Sequence, residues 1–131
     1  MLFAYPDQAA RYYLIDRSLV VPKVLLLFEK ALILDPKNFT LATDTAMIYL
    51  ATSPFKAKEA INAWNKALSL APDIRSKEGV RIHLARIHAR IGEPKVAQKL
   101  LLDVRDPNFN QLKEEILKKI DSLPSTNSTS Q

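Results

Sequence analysis

Cysteine is absent from this chain, which removes disulfides, thiolate metal sites and cysteine nucleophiles together. Glycine is nearly absent, with two in 131 residues, so tight hairpins that need positive φ at their turns have little to build on. There is one tryptophan, and there is no long apolar run. The most apolar stretch, LVVPKVLLLF, is interrupted by Pro22 and Lys23 and is too short to span a bilayer. Asp7 and Arg11 stand where a secretory leader would need a basic start and an apolar middle, so a cytoplasmic location is expected. Of the two histidines, His88 follows His83 by five residues, about 140° around a helix, which denies them a shared face for metal. No phosphate loop and no histidine–acid pair stands out, and Glu114 and Glu115 diverge by about 100° on a helix. No cofactor, no metal site and no catalysis are expected.

What the chain does contain is helix-forming residues, alanine, leucine, isoleucine and lysine, in a repeating order. FEKALILDP begins at Phe28 and WNKALSLAP at Trp64, 36 residues apart. The same offset carries Ala10 onto Ala46, Tyr13 onto Tyr49, Leu14 onto Leu50, Val24 onto Ala60, and Pro36 onto Pro72. Small and large positions are both preserved, which a shared apolar period alone would not produce, and a period of 20–50 residues points to a stacked array. Each unit reads as a helix pair. The first unit pairs Asp7–Ser18 with a helix that starts at Pro22, after a break at Val20–Val21, and runs to Leu34. The second pairs Leu41–Thr52 with Lys56–Leu70. In a looser third copy, Ala85 and His88 take the places of Ala46 and Tyr49. Gly92 stops one helix, Pro94 opens the next, and Ala97, Leu101 and Val104 follow the pattern of Ala60, Trp64 and Ala67. Leu112, Ile116, Leu117, Ile120 and Leu123 then form an apolar stripe with lysines beside it, as a closing helix with one wet face requires. Alanines at 10, 46 and 85 are expected where helices cross closely, with Phe28, Trp64 and Leu101 filling the adjoining hollows.

Ala46, Tyr49, Ala60, Trp64, Ala67 and Pro72 match in order the pattern of tetratricopeptide repeats, which the chain resembles over about residues 5–108. The resemblance implies an all-α, right-handed solenoid of about seven helices. It would form a single domain over residues 1–123, with repeats at about 5–38, 39–74 and 75–108, a capping helix at 109–123, and a disordered tail at 124–131. The first two units are two residues longer than the family's 34-residue repeat, and alanine replaces its preferred glycine on the first helices.

The family binds peptides along a concave face lined by the first helix of each pair. Carried over, this implies Asp7, Arg11, Leu14 and Ile15 in the first unit. The second supplies Thr40, Thr43, Met47, Leu50 and Ala51, and the third Gly79, Ile82, Arg86, Ala89 and Arg90. The leading groove candidates are Arg11, Thr43, Met47, Ile82, Arg86 and Arg90. They suit a protein or peptide partner with acidic groups, and the expected function is a non-catalytic protein–protein interaction module or scaffold. An assembly factor, or part of a longer repeat protein, falls within this reading. Repeats that grip chaperone carboxylate tails use lysine and asparagine at these places, and only Arg86 is compatible, so that role is disfavoured.

The alternative partner class is nucleic acid or an anionic surface. Eight of the basic residues but only three acids fall between Arg75 and Arg105, while the whole chain carries +5. No aromatic residue lies in that interval to stack on bases, which makes nucleic acid the weaker reading. Self-association through the apolar N-terminal end, Met1–Tyr5 and Tyr12–Ile15, is a further expectation.

Overall fold

A computed structural model describes residues 6–122, with the backbone alone described for residues 6–19. The described residues are all-helical and contain no strand. Six α-helices follow in order: α1 (Pro6–Leu34), α2 (Phe39–Tyr49), α3 (Ala57–Leu70), α4 (Ile74–Arg90), α5 (Pro94–Leu102) and α6 (Asn110–Ser122). A 3₁₀ turn, Pro107–Phe109, leads into α6. Among the described residues no helix is long and apolar enough to cross a membrane.

The expected break at Val20–Val21 does not occur, so the described residues form six helices rather than about seven. α1 continues through Pro22 for 29 residues. Proline removes one amide donor from a helix interior and crowds the preceding turn, yet a helix can bend at it and continue. Val21 before the proline and Val24, Leu25 and Phe28 after it are half-buried along one side of the unbroken helix, and it is such packing rather than local propensity that holds helices in proteins. The chain therefore keeps its helix and forgoes one hydrogen bond.

The other helix ends follow local chemistry. The Asn38 side chain accepts from the Leu41 amide at 2.9 Å and starts α2. Asp73 accepts from the Ser76 amide at 2.7 Å and starts α4, and this hydrogen bond holds its carboxyl below the usual range. α4 ends where Gly92 adopts φ +85°. The Glu93 amide then donates to the His88 carbonyl at 2.8 Å and the Gly92 amide to that of Ala89 at 3.2 Å, the paired bonds of a Schellman motif. Pro94 opens α5, where its missing amide is no loss.

The chain divides between Ala63 and Trp64 into two compact units. In the first, α1 packs on α2. Ala42, Thr45 and Ala46 are buried on α2, and the Thr45 hydroxyl is satisfied by donating to the Leu41 carbonyl at 2.8 Å. The Tyr49 hydroxyl donates to the Glu29 carboxylate and ties α2 to α1. Burial, together with the hydrogen bond and charge of Glu29, pushes the Tyr49 hydroxyl up to about 12. Phe28, expected to plug a hollow, is half-buried. Ala10 lies outside the residues whose side chains are described.

In the second unit, α4 packs on α5, and α6 packs on both. Their core joins Ile82, Ala85 and Ala89 to Ala97, Leu101 and Val104, and to Ile116 and Ile120 of α6. Leu100, Phe109 and Leu112 pack around it. Trp64 is only 1 % exposed, and Ala67, Ala85 and Ala97 are completely buried, as close helix crossings require.

A carboxyl side chain is buried inside this unit. Glu78 is buried on α4, and its Oε1 accepts the amides of Arg105 and Asp106 at 2.9 and 2.8 Å. The carboxylate thereby anchors the connection between α5 and α6, where the Lys113 ammonium also donates to the Val104 carbonyl at 2.6 Å. A hydrocarbon side chain at position 78 would leave two amides without their acceptor. Glu78→Ala is therefore expected to lower stability by about 1–3 kcal/mol, with Glu78→Gln intermediate because one oxygen can still accept. Urea titrations of the three proteins check this ordering.

Candidate functional site

Residues 86, 89 and 90 share one face of α4, because three- and four-residue steps nearly complete a helical turn. On α6, residues 116, 119 and 122 do the same. Where α6 lies against α4, these six residues line a cleft of about 380 Å³. Ala89 and Ile116 are buried and form its apolar floor. Arg86, Arg90 and Lys119 are exposed and bring three cations to its walls, and Ser122 lies at one end. No acid is among the described residues lining it. Two guanidinium groups four residues apart can engage carboxylate or phosphate oxygens bidentately, and the lysine adds a mobile point charge.

The positive potential reaches a neighbouring side chain. His83 is one turn before Arg86 on α4, and its ring stacks on Trp64 with centroids 4.3 Å apart and planes inclined by 14°. Burial, reinforced by the charge of Arg86, lowers the His83 imidazole from its ordinary 6.5. Trp64 Nε1 and His83 Nδ1 are buried without a hydrogen-bond partner among the described residues, so the pair holds by ring contact.

The sequence-based candidates separate on inspection. Arg86 and Arg90 do share one site, with Ala89 beneath them. Ile82 does not belong with them as a contact residue: it is 2 % exposed and packs in the core with Ala85 and Leu101. A side chain one turn before Arg86 points inward on this helix because α5 and α6 cover that side. Gly79 is half-buried, with a Cβ direction leading to the Phe109 ring at 3.8 Å. Thr43 and Met47 belong to the first unit. Thr43 donates its hydroxyl to the Thr40 carbonyl at 2.8 Å, while Met47 is exposed. The Arg11 side chain, like those of Asp7, Leu14 and Ile15, lies outside the described residues, as does the N-terminal segment expected to self-associate.

Sequence reasoning missed two features. Lys119 was legible only as a residue on the wet side of a closing helix, and its place in the cleft depends on how α6 meets α4. The second is a histidine–acid pair. His88 Nδ1 lies 2.6 Å from Glu93 Oε1, because the turn at Gly92 folds the chain back on the end of α4. Among the described residues, no three His, Asp or Glu side chains are grouped closely enough to hold a metal ion. Comparison of the chain with family models, curated proteins and solved structures returns no match.

The stacked pair generates two expectations. Removing the indole from a fully buried position, Trp64→Ala, is expected to cost about 3–5 kcal/mol in chemical denaturation. The second concerns pH. A lowered folded-state value means that, below 6.5, the unfolded chain takes up a proton at His83 that the folded chain resists. Stability at this residue is thus complete above 6.5, declines as the pH falls through the lowered folded value, and then levels off. Thermal melts across that range should show a smaller acid-side loss in His83→Phe, which keeps a ring on Trp64 and cannot titrate.

Proposed function

We propose that this chain is a non-catalytic protein-binding module of the tetratricopeptide-like kind that its sequence resembles. In this reading it takes an acidic segment of a partner protein at the cleft between α4 and α6. The observation that carries this reading is the convergence of Arg86, Arg90 and Lys119 over the apolar floor of Ala89 and Ile116. A segment that presents one or two carboxylates beside an apolar side chain meets both parts of the cleft. The carboxylates make charge-assisted hydrogen bonds to the arginines, and the apolar group covers Ile116. Such a site favours acidic partners through encounter rate as well as through contact, and its affinity declines with ionic strength. The all-helical architecture and the buried alanines and tryptophan agree with the repeat pattern on which this reading also draws.

The excess of basic over acidic residues between Arg75 and Arg105 favours a second reading, an anionic polymer or surface as ligand. Among the described residues that line the cleft none is aromatic, so they offer no platform for base stacking, and a polymer would be held through its backbone charge.

Arg86→Glu combined with Arg90→Glu is expected to weaken acidic-peptide binding at least about tenfold while circular dichroism shows the helices retained, because both side chains stand outside the core. Titration of a fluorescent Glu- and Leu-containing peptide into both proteins measures this. Undiminished binding by the double variant would move the site elsewhere. Tighter binding of single-stranded RNA than of peptide, at physiological salt, would favour the second reading.

A further inference from the structure

α1 is apolar on both sides from residue 20 onward. Val21, Val24, Leu25, Phe28 and Leu32 are half-buried on one side. On the other side Val20, Leu27 and Leu34 recur every seventh residue, with Leu26 and Ile33 in the adjoining row. These five are 43–87 % exposed, with Leu27 at 65 %, Ile33 at 77 % and Leu34 at 87 %. A helix that is apolar all round is normally covered all round, and a contiguous apolar face in water marks a contact surface. Lys23 and Lys30 run between the two apolar rows and are both exposed. They are seven residues apart, so about 10.5 Å separates them along the helix.

We infer that this outer face of α1 docks an amphipathic helix of a partner protein that carries acidic side chains seven residues apart within its apolar stripe. The paired rows of Leu, Ile and Val offer the ridges against which another helix packs, and the lysines select its charge and register. The position of the lysines argues against two other occupants. A second copy of the same face would set one lysine row against another in either orientation, and like charges so placed oppose association. A bilayer would receive the lysines at the centre of the inserted face, whereas interfacial helices keep their basic residues on the polar side. An acidic helix neutralises the row and covers the leucines at once. This inference is independent of the α4–α6 cleft.

The test uses the full chain and two synthetic amphipathic helical peptides. They are identical in their leucines and differ only in bearing Glu or Lys at every seventh position. Fluorescence anisotropy at physiological salt is expected to show the Glu peptide bound at least about tenfold more tightly. Lys23→Glu with Lys30→Glu, at exposed positions that leave the fold intact by circular dichroism, is expected to reverse the preference. In the Arg86→Glu, Arg90→Glu background, where the cleft no longer takes the Glu peptide, the preference is expected to persist and Leu27→Asp to abolish it, which separates this surface from the cleft. Equal affinity for the two peptides, or binding of neither, overturns the inference. So does a concentration-dependent dimer, or attachment to phosphatidylserine vesicles, that Leu27→Asp removes.

Discussion

Ala85 of α4 and Ala97 of α5 are both completely buried, and the second unit depends on their remaining small. Helix axes approach to about 8 Å only where a methyl group, or less, separates the backbones. At such a crossing the neighbouring large residues are no longer spacers and become fillers. Ile82, Leu101 and Val104 occupy the hollows beside the alanines, and Ile116 and Ile120 of α6 close over them. Ala42 and Ala46 are likewise buried on α2 in the first unit. An added methylene at these places has no room to enter, since protein interiors are packed as densely as organic crystals.

Close packing also decides where polar groups can stand. Glu78 tolerates burial because two backbone amides aim at one of its oxygens, which replaces the water it leaves behind. His83 has no such replacement at Nδ1 and is better placed as a neutral ring against Trp64. Arg86, Arg90 and Lys119 escape the problem by reaching solvent, while Ala89 and Ile116 beneath them stay in the core. A cationic rim over an apolar base thus arises wherever the outward positions of two packed helices are basic and the inward ones are not. The same separation fails on α1 from residue 20 onward, whose outward positions are chiefly Leu, Ile and Val, so that stretch meets water with the side chains of an interior.

The helical class and the burial of Ala46, Ala85, Trp64 and Leu101 were legible in the sequence, because they follow from spacing along one chain. So was the stop at Gly92 and the start at Pro94, where backbone chemistry acts within a few residues. Pro22 misled for the complementary reason. Proline states a local preference against helix, yet the outcome turned on packing, since Val21, Val24, Leu25 and Phe28 on both sides of it share one half-buried side of the helix. Arg86 and Arg90 could be paired from sequence, since four residues on a helix bring them together without help from the rest of the chain. Ile82 could not be distinguished from them, because inward and outward faces of α4 are assigned only by what packs against it. By itself, then, the sequence determined the helical class, the burial of Ala46, Ala85, Trp64 and Leu101, and the basic character of the chain from Arg75 to Arg105. Only the tertiary structure decided that Lys119 joins the two arginines, that Glu93 returns to His88, and that one face of α1 is left uncovered. Each of these depends on distances between residues that no helical period relates.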